Sequence, residues 1–329
     1  MKHSLPQSVG IDVSKDTLAV TLRFSDHEEH LTVPNTPNGL TALHRKLRLC
    51  PCVLIMESTG RYHILAAFLL TEKGYDVRIV NPIQAKRYIS ASTRKTKTDK
   101  TDAAALAHMG ITEQKLPERF ALSKSDIQIR QKIGLLSSLE THLQSLGRSL
   151  KTYGEFQEQM DIKRSAAERA LLKVREKLKQ EKEHLEEEIQ ALVLQNDTKQ
   201  RSHELACSIP GVSAFIASLL CQLLNVQCAT AKQWIAFVGF DVSLNQSGRW
   251  KGRGKLSKRG NGYLRKKLFQ AAWGAVMHEP RFRAYYDRLK QEGHSHRAAT
   301  VIIARKLLRI LFAVLKMQTP FSVDACIFA

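Results

Sequence analysis

The chain opens with short apolar runs punctuated by turn-forming residues. Ser8–Val13 (SVGIDV) reads as a buried strand, Ser14-Lys15-Asp16 as a turn, and residues 17–24 as a second strand. Residues 31–33 suggest a third. The stretch PNTPNG at 34–39 then breaks the chain before a helical pattern over 40–49. Val53–Glu57 is a fourth strand, apolar enough to be central. Residues 61–73 read as a helix ended by Gly74, and residues 76–80 as a fifth strand. Hairpin-like strands followed by strands separated by helices predict a mixed α/β sheet.

Beyond this the pattern changes period. Residues 98–109 read as a helix opening with TDKTD, and residues 123–199 carry almost no strand signal. Leu171, Leu178, Leu185 and Leu192 recur every seven residues among dense Glu and Lys, with Val174 and Ile189 on nearby stripe positions. That spacing predicts a coiled coil or a long helical hairpin, within one protomer or between two. A second globular region begins near Ser202. There CSIPGVS at 207–213 joins two apolar helical stretches through a Pro-Gly turn, the pattern of a helix-hairpin-helix whose amides can meet a phosphate. Residues 234–240 read as a buried helix or strand, and residues 302–316 as an amphipathic helix with Arg305, Lys306 and Arg309 on its polar face. The expected division is 1–115, a helical linker over 116–200, and 201–329.

Charge narrows the function. The chain has 329 residues, 51 Lys and Arg against 31 Asp and Glu, and a formal net charge of +20. Such an excess draws polyanions, nucleic acid first among them. A hydrophobic fraction of 43% is enough to build real cores, which excludes wholesale disorder. No apolar run approaches the roughly 18 residues of a membrane span, and MKHSLPQSVGID lacks the apolar segment of a secretion signal. A cytoplasmic protein with no membrane partner is expected. The six cysteines form no framework: Cys50-Pro51-Cys52 is too tight for the usual metal-binding pair, and reduced thiols are the simpler reading.

Four acids stand out against this background. Asp12 lies within an apolar strand and Glu57 ends another, positions where a lone carboxylate costs several kcal/mol unless partnered. Asp99 and Asp102 are spaced i, i+3, on one face of a helix. Each taken alone fits a helix cap or an Arg partner. Taken in order within a basic protein, they are the acids a ribonuclease-H-like sheet uses to hold hard divalent cations such as Mg²⁺ or Mn²⁺ at a phosphodiester.

The most unusual stretch is SGRWKGRGKLSKRGNGYLRKK, residues 247–267. It holds nine basic side chains (Arg249, Lys251, Arg253, Lys255, Lys258, Arg259, Arg265, Lys266, Lys267) and no acid. Five glycines allow close backbone approach to phosphates, and Trp250 and Tyr263 can stack on bases. Ser247 stands at the mouth of this expected loop. No Ser-His-Asp arrangement is readable nearby, so the residues alone do not separate Ser247 from Ser243 or Ser257 as a nucleophile.

These segments together resemble a known family. GIDVSKDTLAV (10–20), MESTGRY (56–62), NP (81–82), KTDKTDAAALA (97–107), IPGV (209–212), FVGF (237–240) and SGRWKGRGKLSKRGNGYLRKKLF (247–269) are similar, in this order, to the DEDD transposases of insertion-sequence family one hundred and ten. That family includes the Piv-type invertases. The resemblance implies a RuvC-like N-terminal domain whose tetrad maps to Asp12, Glu57, Asp99 and Asp102 and binds Mg²⁺. It implies a helical C-terminal transposase domain in which Ser247 becomes joined to DNA. It also implies donor and target double-stranded DNA, a structured noncoding guide RNA (the bridge RNA) that pairs with them, and dimers or tetramers. FVGFDVS departs from the more usual GL-P run before the serine motif. Competing expectations are a metal-dependent, structure-selective nuclease, an invertase without guide RNA, and a non-catalytic nucleic-acid scaffold.

Overall fold

The computed structural model describes residues 5–48, 50–91, 98–224, 230–243, 246–247, 250–251 and 255–322. The chain divides into two compact units, Met1–Ile127 and Gln128–Ala329.

The first unit is built on β1 (Ser8–Val13), β2 (Thr17–Arg23) and β3 (Glu28–Pro34), a meander of antiparallel neighbours. The chain then passes through α1 (Pro37–Leu47), which begins where Thr36 caps the Gly39 amide and Pro37 supplies the first turn. It returns as β4 (Val53–Glu57), parallel to β1. After α2 (His63–Glu72), β5 (Asp76–Val80) adds in parallel to β4. The sheet order is β3-β2-β1-β4-β5, so β1 is its middle strand. Its sequence is buried at every position except half-buried Asp12, as a strand covered on both faces requires. The third strand is longer than its three-residue apolar core suggested, because pairing with β2 extends it through Glu28 and His30.

A helix the sequence did not announce, α3 (Pro82–Ala91), follows the cap made by Asn81 Oδ1 on the Ile83 amide. Then comes α4 (Asp99–Thr112), opened by a capping box between Thr98 and Thr101. Tyr88 Oη on α3 lies 2.6 Å from His108 Nδ1 and 2.5 Å from Thr112 Oγ1 on α4, which ties the two helices. The second helix lies directly on the sheet. Ser8 Oγ donates to Ala107 O at 2.5 Å, and a Cβ at Gly10 would stand 2.0 Å from Ala103 O. Glycine at position 10 is thus what lets this helix touch the middle strand.

The second unit starts with a helical hairpin, α5 (Lys124–Gln159) and α6 (Ala166–Leu194). The two helices pair within the chain: Gln157 Nε2 donates to Glu168 Oε1 at one end, and Lys132 Nζ to Glu188 Oε2 at the other, each at 2.5 Å. The seam differs from the expected leucine stripe. Ile189 and Val193 are the buried positions of α6, Leu185 and Leu192 pack only partly against the core, and Leu171 and Val174 are exposed. Next come α7 (Asp197–Cys207), α8 (Ala214–Leu223) and α9 (Ala231–Val238). Residues 234–240 are therefore helical through Val238, and Gly239 closes that helix in the left-handed region at φ +78.

Four two-residue strands follow: β6 (Val242–Ser243), β7 (Gln246–Ser247), β8 (Trp250–Lys251) and β9 (Lys255–Leu256). Three further helices follow, α10 (Gly262–His278), α11 (Pro280–Gln291) and α12 (His296–Met317). Trp234, Phe240, Phe282 and the leucines of α12 fill the core between these helices. No helix among the described residues is long and apolar enough to cross a membrane.

The Pro-Gly turn is a packing element. Ile209 and Val212 are buried, the Val212 amide donates to Ile209 O, and a Cβ at Gly211 would lie 2.2 Å from Ala271 O on α10. The helix-hairpin-helix pattern holds, but its turn is pressed against a neighbouring helix, and the turn's own amide is spent internally.

Candidate active site

The acidic edge follows from strand register. Ile11 pairs with Met56 in the parallel β1–β4 ladder, so Asp12 and Glu57, one residue further along each strand, end up as neighbours at the carboxyl edge of the sheet. Glu57 pairs in turn with Val80 on β5. The helix α4 runs against the direction of β1. Gly110 lies by Ser8 and Val53, Ala107 by Ser8 and Gly10, and Ala103 by Gly10. Its first turn, with Asp99 exposed and Asp102 half-buried, therefore points toward the Asp12 end of the strand. An open α/β sheet presents its ligands at this edge.

The four carboxylates share an edge without closing into a cage. Among the described residues, no three His, Cys, Asp or Glu side chains are grouped so as to hold an ion as they stand. The donor set is all oxygen, the kind that hard divalent cations prefer. Asp12 and Glu57 on rigid strands would form the fixed part of such a site, and Asp102 and Asp99 the helix-borne part.

Two residues at this edge escaped the sequence reading. Asn35 Nδ2 donates to Ser14 O and to Tyr62 O, each at 3.0 Å. It thereby staples the turn after Asp12 to the loop after Glu57. His63 starts α2 at the end of that loop, and burial pushes its imidazole below the ordinary value, which favours the neutral ring. An Asn inside a Pro-Asn-Thr-Pro turn reads as turn chemistry, which hid the cross-link.

Ser247 lies in a strand where the sequence predicted a loop. It is the last residue of β7 and pairs with Trp250 of β8, while Val242 pairs with Leu256 at the base. These two antiparallel pairings define a β arm, with Ser247 at the end of its described first strand. Gly248, Arg249, Gly252, Arg253 and Gly254 lie outside the described residues. The root of the arm is well tied. Ser257 donates through its amide (2.9 Å) and its hydroxyl to Asp241, Lys258 N to Gly239 O at 3.3 Å, and Asn261 N to Phe237 O at 2.9 Å.

The nine basic residues fall into different settings. Lys251 and Lys255 are in the short strands, and Lys258 and Arg259 are exposed at the root. Arg265 Nη1 donates to Val238 O at 2.8 Å. Lys266 and Lys267 turn inward: Lys266 Nζ lies 2.7 Å from Glu140 Oε2, and Lys267, 6% exposed, lies 2.6 Å from Glu140 Oε1.

The thiols of Cys50 and Cys52, both buried at the start of β4, are 2.7 Å apart. The hydrogen bond from Cys52 draws Cys50 down to about 7, while the same bond and burial push Cys52 up.

Residues 9–151 match the DEDD transposases of the IS110 type, and residues 203–287 match the transposases of the IS116/IS110/IS902 family. These segments span well over half of the chain. The protein is a DNA recombinase of the transposase class, and within that class the chain belongs to the IS110 family.

The chain is 26% identical over 331 residues to the pilin gene-inverting protein of Moraxella bovis, covering 95% of this chain and 97% of that one. It is 25% identical over 339 residues to a probable family 20 transposase of Pseudomonas aeruginosa, covering 95% and 98%. A solved structure of Thermus thermophilus RuvC with a Holliday junction substrate matches 30% of this chain and 88% of that chain, at 14% identity and a TM-score of 0.24. The fold assignment rests on the strand order rather than on that likeness.

Proposed function

We propose that the protein excises and inserts its own mobile element by transesterification at Ser247. The Ser247 Oγ attacks the scissile phosphorus and gives up its proton, and the departing strand oxygen takes up a proton and leaves as a hydroxyl. One P–O bond forms to the serine as the P–O bond to the leaving strand breaks, and a DNA hydroxyl later reverses the exchange. A divalent cation, held by Asp12, Glu57, Asp102 and Asp99, would supply charge neutralisation at the phosphate. The observation that carries this reading is the parallel register that sets Asp12 and Glu57 side by side at one sheet edge, with the acidic turn of α4 directed to the same edge. Lys258 and Arg259 at the root of the arm and Lys251 and Lys255 in its strands supply cations for the DNA backbone, and Arg249 and Arg253 add charge to the same stretch of sequence.

The carboxylates and the serine reside in different units of the fold. An assembly in which one protomer lends its serine to another's acids suits this division, and we assign the working form as a dimer or tetramer. A guide RNA pairing with donor and target would leave the protein to grip backbones, for which a net charge of +20 is suited. Such a substrate locates the protein in the cytoplasm, with the nucleoid.

The test is a trapped intermediate. Wild-type protein incubated with a duplex carrying the end of its own element and Mg²⁺ should yield a covalent protein–DNA adduct. Ser247→Ala should yield none, and Asp12→Asn at least 100-fold less, as expected for loss of a transition-state charge partner. Cleavage with no adduct in the wild type would move the reading to the nuclease alternative, and an adduct undiminished in Ser247→Ala would assign the nucleophile to another residue. Sequencing the nucleic acid that co-purifies with the protein should recover one discrete structured RNA. A random mixture would remove the guide.

Site-specific inversion is the second reading, favoured by the pilin gene-inverting relatives in two Moraxella species that align over 95% of this chain. A plasmid with two ends in inverted orientation separates the readings: inversion flips the segment in place, whereas transposition moves it elsewhere.

A further inference from the structure

Charged groups from three helices meet inside the second unit. Glu140 on α5 is 6% exposed. Its Oε1 accepts from Tyr263 Oη at 3.1 Å, in addition to its contacts with Lys266 and Lys267. Lys267 also reaches Glu186 Oε1 on α6 at 3.4 Å, and its ammonium stands 5.1 Å from the Phe215 ring centroid and 5.4 Å from that of Tyr263. Glu186 pairs in turn with Lys182 at 2.9 Å. Three side chains of α10 are thus fastened to the acids of both helices of the hairpin.

Stability alone does not account for this arrangement. Apolar residues of similar volume often replace a buried ion pair without loss. What a dense, fully partnered cluster adds is a single allowed fit: only one rotation and one axial register of α10 satisfies Glu140 and Glu186 together. The N-terminus of that same helix is the root of the serine arm, through the Asn261–Phe237, Lys258–Gly239 and Arg265–Val238 hydrogen bonds. Whatever fixes the rotation of α10 fixes the base of the arm.

We propose that Glu140 is a positioning residue for strand transfer: through Lys266, Lys267 and Tyr263 it locks α10 onto the helical hairpin and so aims the arm that carries Ser247. The inference rests on Ser247 being the nucleophile. It takes Lys266 and Lys267 out of the set of phosphate contacts and gives them an internal role.

The experiment compares Glu140→Gln, Lys267→Met and the double variant E140L/K267M with the wild type as full-length protein. Three quantities are read on a duplex carrying the element's end: melting temperature, the salt dependence of DNA affinity, and the rate of the first strand transfer from prebound DNA. Glu140→Gln should melt lower and transfer about 10- to 100-fold more slowly, as expected for a nucleophile displaced by about an ångström. Its salt slope should match the wild type. The double variant should recover the melting temperature while remaining slow.

A rate that recovers along with the melting temperature would reduce the cluster to a stabilising feature and overturn the proposal. So would a Lys267→Met slope shallower by about one, the mark of a lost phosphate contact. Ser247→Ala run alongside reports separately on the nucleophile: wild-type transfer there would remove the reading this inference rests on, whatever the Glu140 series shows.

Discussion

A single carboxylate illustrates what the sequence pattern discloses. In the first half of α5 the buried positions run Ile129, Ile133, Leu136, Glu140, an apolar stripe of steps four, three and four that ends in an acid. In α10, Leu264, Lys267, Leu268 and Ala271 place a lysine on the buried face in the same way. A charge on an apolar stripe is a legible sign of a buried partner. It went unread because the run of basic residues around Lys267 drew it into a phosphate-binding set. The pair also makes a pH prediction. Burial by itself would raise Glu140, but the hydrogen bonds and charges of Lys266 and Lys267 outweigh it and hold the carboxyl below its ordinary 4.5. A lowered acid contributes stability that is present above the unfolded value and lost as pH falls through the folded one. The melting-temperature gap between wild type and Glu140→Gln should therefore be full near neutrality and shrink below about pH 4.5. Thermal melts across that range check it, and a constant gap would mean that the carboxylate is not held ionised.

Elements whose local preference agrees with their burial were legible. β1, β4 and β5 match their predicted bounds because each is a compact apolar run between turn formers. The helices α3 and α11 went unread, although α11 buries Phe282, Tyr286 and Leu289 at steps of four and three, a helical stripe set in an otherwise polar segment. The serine arm was hidden by its composition: two-residue strands rich in Gly, Lys and Arg carry no β pattern, and the pairing rests on a root built elsewhere. Of the candidate site, the acids and their gathering on one sheet were read from their order along the chain, whereas the strand register and the contact at Gly10 that bring them to one edge were not. The same kind of contact recurs at Gly211, where a methyl group would meet Ala271 O and the Ala275 amide at 2.2 and 2.4 Å, with φ at +79. Gly211→Ala should cost about 1–3 kcal/mol through overpacking, with backbone strain adding to it. Denaturant unfolding measures this, and an unchanged midpoint would show that the turn is not pressed on α10.

At the scale of the whole molecule, the far end of the helical hairpin is left bare. Tyr153, Phe156, Met160, Ile162, Leu171 and Val174 are all exposed by 43% or more, around the turn that joins α5 to α6. The first of these helices has 36 residues and so runs about 54 Å, and among the described residues the hydrophobic side chains of its last turns belong to no core cluster. Exposed apolar clusters of this kind mark association surfaces, which fits the proposed dimer or tetramer. The double substitution Tyr153→Glu with Phe156→Glu should shift the protein toward monomer in sedimentation or light scattering while leaving its helix content intact. An assembly unchanged by both charges would place the interface elsewhere.

If protomers meet through that bare end, heat resistance becomes a property of the solution as much as of the fold. Ligation of one copy by another stabilises the native state by mass action, so dilution should lower the melting point of the natural protein and leave that of the charged variant unmoved.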